Sequence, residues 1–248
     1  MNKALFFAIA MIASTLGFAP HDAQAADYTV YSPNVVLGES ELEARGFHAW
    51  GTDPGTGAEQ ALRVAFGHAF TDWWATEFYA VAEQEFGESF KLEEFEWENR
   101  FQLMPQGKYW ISVGLISEVE IPRFGDDPWE VKFGPILSKD FGRFTALLNI
   151  LFAHEYGANA ESGVEVAYRA RLQYRWRRAF SPLIEAYGQP VGKIGAWGGP
   201  RHQIGPGVTG KFGLGPGESL RYGAVLLFGA SGAAADTTLV FRLEYEFF

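Results

Sequence analysis

Between Val164 and Trp176 the chain alternates with a period of two. Glu165, Arg169, Arg171, Gln173 and Arg175 hold odd positions, and Val164, Val166, Tyr168, Leu172, Tyr174 and Trp176 hold even ones. Successive side chains of a β-strand point to opposite faces, so this segment has one ionic face and one apolar, aromatic face. Such a strand has to bury one face and keep the other wet, and its register is fixed by that demand. A slip of one residue would move three arginines to the apolar side.

The same period recurs along the chain. Tyr109, Ile111, Val113, Leu115, Val119 and Ile121 alternate with Ser112, Gly114, Glu118 and Glu120. Phe95, Trp97 and Phe101 alternate with Glu94, Glu96, Glu98 and Arg100; Trp129, Val131, Phe133 and Leu137 alternate with Glu130, Lys132, Ser138 and Asp140. Twelve segments follow, at 39–51, 58–70, 73–86, 90–104, 108–122, 129–140, 143–156, 163–176, 181–191, 200–212, 219–230 and 236–248. Breaks such as Thr52-Asp53-Pro54-Gly55, Phe141-Gly142 and Gly213-Leu214-Gly215-Pro216-Gly217 supply hairpin turns.

A soluble β-sandwich also alternates, but its apolar face is the inside. Here the ionic face carries charge on nearly every strand, which a dry core does not tolerate unpaired. The apolar face ends in Trp50, Trp74, Trp129, Trp176 and Phe212 near strand termini, as in aromatic girdles at membrane interfaces. Strands of this length also suit a tilted crossing of hydrocarbon. The expected fold is therefore all-β, a transmembrane antiparallel up-and-down barrel of about twelve strands over residues 39–248. Aromatic content of 16 % beside a mean hydropathy of −0.07 fits that face-splitting.

The N-terminal end indicates export. Lys3 precedes an apolar run from Ala4 to Ala19, and Ala23-Gln24-Ala25 offers the small residues of a cleavage site. Residues 1–25 read as a signal peptide for Sec-type export, cut near Ala25, and residues 26–38 as a periplasmic N-terminal segment, either a disordered lead-in or an occupant of the barrel's periplasmic mouth. The 248-residue chain has no cysteine, which excludes disulfides and thiolate metal sites. Its net charge of −10 excludes nucleic acid as a partner.

The last strand adds a resemblance. Leu239, Phe241, Leu243, Tyr245 and Phe247, followed by terminal Phe248, resemble the aromatic-terminated strand of Gram-negative outer-membrane β-barrel proteins, counted here from Phe247 rather than the last residue. That resemblance implies residence in the outer membrane among lipids and lipopolysaccharide, and recognition by the barrel assembly machinery through residues 239–248. An even strand number puts both ends of the barrel on one side, the periplasmic one for this class.

Two functional readings follow. The first is a narrow porin-like channel for small polar or charged solutes of unknown identity, lined by Glu94, Glu96, Glu98, Arg100, Glu118, Glu120, Lys132, Arg169, Arg171 and Arg175. Its bland counterpart is a non-conducting structural barrel whose lumen is filled by paired charges. The second is a lipid-modifying enzyme: the chain resembles outer-membrane phospholipases in size and strand number, and His154 and Ser162 flank a loop containing Asn159. Neither the family's motif nor a cofactor motif is present, and His48, His154 and His202 are too spread out for a metal site. None of the expected loops is long enough to fold inward as a plug.

Overall fold

Twelve strands form where the sequence alternates, and they close on themselves. The computed structural model describes residues 27–51, 59–84, 89–105, 107–123 and 127–248. The strands are β1 (Ser40–Trp50), β2 (Glu59–Ala69), β3 (Trp74–Gln84), β4 (Lys91–Gln102), β5 (Ser112–Pro122), β6 (Trp129–Phe141), β7 (Phe144–Tyr156), β8 (Glu165–Tyr174), β9 (Ser181–Lys193), β10 (His202–Gly215), β11 (Glu218–Gly229) and β12 (Thr237–Phe247). Every neighbour in sequence is an antiparallel neighbour in space. β1 pairs with β12 from Ser40↔Phe247 to Trp50↔Thr237, so the sheet has no edge. A closed ladder is what hydrocarbon requires, because no water is there to satisfy an open edge. Among the described residues no helix is long and apolar enough to cross a membrane.

Two strands depart from expectation. β5 begins at Ser112 rather than 108, because residues 107–111 form turns and bends that leave Trp110 at the surface. β10 runs on to Gly215, absorbing a shift in register between Gly213 and Gly215, so the glycine-rich stretch read as a turn is half strand. Between β6 and β7 the turn is only two residues long, and Gly142 supplies the positive φ of 57° that it needs. The signal-peptide reading falls on residues outside the described ones.

The outer face is apolar on strand after strand: Phe66, Phe78, Trp97, Phe133, Leu172 and Ile184 are all exposed there. Trp50, Trp129, Trp176 and Phe212 are exposed near strand ends, whereas Trp74 is half-covered, stacked on Phe70 at 5.3 Å. Placing Arg169 or Arg171 on this face by a slip of β8 would cost about 2–4 kcal/mol each at the membrane midplane. The lumen holds the buried residues, and it is not empty.

Candidate functional site: the lumen and its N-terminal segment

Residues 27–36 run through the inside of the barrel, from Asp27 in the interior to Val36 at the end where the strands' chain termini lie. The segment read as a disordered lead-in or an occupant of the mouth is thus an ordered luminal element. Its backbone is held as a strand's would be, but by side chains. Tyr31 N–H donates to Asn149 Oδ1 at 2.7 Å, and Asn149 Nδ2 donates back to the Tyr31 carbonyl at 3.0 Å. Val35 N–H donates to Gln102 Oε1 at 3.1 Å, and the Tyr28 carbonyl accepts from Tyr187 Oη at 3.1 Å and from Arg242. A chain without neighbours in a ladder needs such partners for its buried peptide groups.

Asp27 anchors the inner tip. Its carboxylate accepts from Arg169 Nη1 at 2.5 Å and from Tyr31 Oη at 2.8 Å, with Arg45 Nε 3.7 Å away. Burial alone would raise its pKa; Arg169, then Arg45 and Arg63, outweigh burial and hold it well below the usual carboxylate range. Arg169, which sequence reading assigned to a pore wall, therefore serves as part of the segment's clamp.

Apolar contacts complete the dock. Val30 packs with Phe47, Leu147, Leu183, Tyr187, Val225 and Leu227, and Tyr28 meets the Phe47 ring edge-on at 4.9 Å. Tyr31 packs with Ile116, Ile136 and Leu151. These wall residues sit at inward-facing positions, where alternation predicts polar side chains. Apolar runs such as Leu147-Leu148, Leu151-Phe152 and Leu226-Leu227-Phe228 break the period of two, and those breaks were the available signal of something apolar inside. Gly114 lets the chain pass: a Cβ there would lie 2.8 Å from Pro33 Cβ.

The charged wall residues pair mostly with close neighbours. Arg63 Nε donates to Glu96 at 2.8 Å and lies 3.9 Å from Glu94. Arg100 Nη2 bridges Glu77 at 2.7 Å and Glu41 at 3.3 Å, an approach that Gly67 permits between them. Lys132 bonds Glu120 and lies 3.6 Å from Glu118 and 2.8 Å from Glu130. Glu98 lies 3.8 Å from Arg45. Arg171 Nε donates to Glu185 at 2.7 Å, and Arg242 grips the same carboxylate at 2.9 Å. Arg175 is exposed at the rim, paired with Asp140. Acids and bases do not face each other across open water; the N-terminal segment lies between Arg169 and the acidic strands.

The segment leaves a cavity on each side. One of about 310 Å³ lies at the termini end, bounded by Tyr31, Ser32, Val35, Glu41, Glu43, Arg171, Lys211 and Arg242 among others. The other, about 650 Å³, lies at the far end, bounded by Asp27, Glu94, Glu120, Glu130, Glu165 and Arg201 among others.

The enzyme candidates do not assemble. His154 Nδ1 is bonded to the Gly163 carbonyl at 2.5 Å, not to Ser162, and its ring packs on Tyr156. His48 meets Gln60 and His202 meets Tyr168, each in its own part of the rim.

A closed, even-stranded barrel, apolar outside and ionic inside, has the architecture of an outer-membrane β-barrel. Comparison with solved structures agrees on the fold: an outer membrane channel from Pseudomonas putida F1 superposes with a TM-score of 0.57 over 91 % of this chain and 99 % of that one, at 12 % identity. The translocator domain of an autotransporter from Neisseria meningitidis gives 0.48 at 10 % identity, over 87 % and 89 %. An outer membrane protein from Acinetobacter baumannii gives 0.43 at 10 % identity, over 85 % and 97 %. No family model and no curated protein matches the sequence.

Proposed function

We propose that the protein is an outer-membrane channel for small polar or charged solutes, narrowed by its own residues 27–36. The observation that carries this reading is the pair of polar cavities, one on each side of the segment and both lined by charged side chains. A barrel filled purely for stability would be packed through; this one holds a cavity on either side of a segment that belongs to no strand. The name of the Pseudomonas putida structure, an outer membrane channel, supports the same reading.

The solutes would be small. Between the cavities the path runs past Tyr31, Asn149 and the Arg45–Asp27–Arg169 cluster, so a permeant molecule meets a cationic clamp flanked by carboxylates. Export with cleavage after Ala25 would leave Ala26 as the first residue, beside the buried Asp27. Insertion would proceed through β12, whose outward Leu239 to Phe247 face the assembly machinery and then lipid and lipopolysaccharide.

The test is planar-bilayer conductance of the refolded mature chain against a chain beginning at Gly38. The expected result is small, steady openings for the former and a conductance several-fold larger for the latter. Closed bilayers with both proteins, each shown to be folded by heat-modifiable gel mobility, would overturn the channel reading.

A further inference from the structure

Two guanidinium groups of the barrel wall converge on the tip of the luminal segment. Arg45 of β1 and Arg169 of β8 both lie over the Tyr31 ring, 5.9 and 5.6 Å from its centroid, and their side chains are 4 % and 3 % exposed. Buried charges of like sign need an anion close by. The wall gives Arg169 none of its own: among the described residues Asp27 alone forms a salt bridge with it.

The anion that is there fills the place incompletely. Arg45 stands 3.7–3.8 Å from Asp27, Glu43, Glu96 and Glu98, beyond hydrogen-bond reach of each. Its bonds go to the Tyr79 and Tyr31 hydroxyls, and its Nε, the atom nearest Asp27, is buried with no acceptor among the described residues. On the other side, Gln189 Oε1 accepts from Arg169 Nε at 3.1 Å, and Nε2 of the same amide is buried without an acceptor too. Buried donors are nearly always bonded, so two orphans around one carboxylate mark a site shaped for more acceptor than a tethered side chain presents.

That site is also within reach. Arg45 borders the 310 Å³ cavity, while Arg169 and Gln189 border the 650 Å³ one. Asp27 is carried by a segment that belongs to no strand, so its carboxylate can leave without opening the ladder. We infer that Arg45, Arg169 and Gln189 form a binding site for a small monocarboxylate, and that Asp27 is its tethered occupant. Glu94, Glu120, Glu130 and Glu165 on the far-end cavity wall repel a second negative charge, which sets the class at one carboxylate. The site goes beyond the channel reading, because filling it does not require conduction.

Acetate carries the carboxyl and methyl carbons of the aspartate side chain, so it is the probe. In Asp27→Ala, refolded in detergent as the full mature chain, acetate should raise the temperature at which heat-modifiable mobility is lost. At about a hundred times its Kd the expected rise is about 5–10 °C, and chloride at equal ionic strength should give none. The parent should bind acetate about tenfold more weakly or worse, because a tethered competitor acts at millimolar effective concentration. Adding Arg169→Met, which also removes the buried charge, should abolish the rescue. Should Asp27→Ala fail to fold, the parent decides: acetate should speed exchange of the Tyr31 amide by displacing the aspartate, and chloride should not. A folded Asp27→Ala that ignores acetate overturns the site, as does a rescue that chloride matches or that survives Arg169→Met. In the parent, exchange indifferent to acetate does the same. Rescue in a protein that never conducts removes the channel reading and leaves the site standing.

Discussion

Tyr31 and Asn149 exchange two hydrogen bonds across 118 residues of sequence: the amide of the first meets the side-chain oxygen of the second, and the side-chain nitrogen returns to the carbonyl. An asparagine amide here does what an adjacent strand would do, and Asn149 is fully buried in the act. The luminal segment is thus bonded to the barrel wall as if it were a thirteenth strand of one residue.

Asn149→Leu should release that point. It strips two bonds and leaves a buried peptide N–H and C=O unpaired, at about 1–3 kcal/mol each. The barrel ladder is untouched, so heat-modifiable mobility should persist while limited proteolysis begins to cut within residues 27–36 and open-channel current rises. Unchanged proteolysis and current would show that the remaining contacts hold the segment alone.

Asp27 gives the clamp its pH dependence. A carboxyl group whose folded pKa lies below its unfolded value contributes stability that is complete above the ordinary carboxylate range and is lost as pH falls through the folded value. Segment protection should therefore stay constant from pH 8 to pH 5 and fail only below about pH 4. Asp27→Asn should weaken protection at neutral pH, by about 3–5 kcal/mol, because Arg169 and Arg45 lose their shared anion while still buried. Hydrogen exchange at the Tyr31 amide across pH reads both effects.

Gly114 tests the fit of the segment by size. A side chain there would collide with Pro33 and with the Phe101 carbonyl, both 2.8 Å from the added Cβ. Gly114→Leu should displace the segment towards the opposite wall and raise conductance as truncation does. If current falls instead, the added side chain blocks a path that the segment leaves open.

Arg171→Glu separates selectivity from packing. Arg171 and Arg242 hold the fully buried Glu185 between them. Reversal would set two carboxylates face to face on β8 and β9, where the register pairs positions 171 and 185. The variant is expected to unfold at a lower temperature than the parent, and any conductance it retains should shift towards cations. A variant as stable as the parent would mean that Arg242 alone satisfies Glu185.

The strands were legible because each has a lipid face and a wet face, and a period of two records that directly. β8 could be placed from Glu165, Arg169 and Arg171 against Val166, Tyr168 and Leu172, and the same logic set the strand count and the inward carboxylates of β4 and β5. Partner choice among those charges was not legible. Arg169 and Arg171 sit two residues apart on the same face, yet one clamps Asp27 of the segment and the other Glu185 of the next strand.

What the sequence determined by itself is the barrel: alternation demands two solvents, and no other closed arrangement supplies hydrocarbon outside and polar space inside. What only the tertiary structure decided is the content of the lumen. Residues 27–36 have no periodicity of their own, and Asn149, Leu147 and Ile136 look like lapses in their strands. They become a binding surface only when twelve strands bring them round one axis, because the segment's order comes from contacts with every part of the wall and from no local preference.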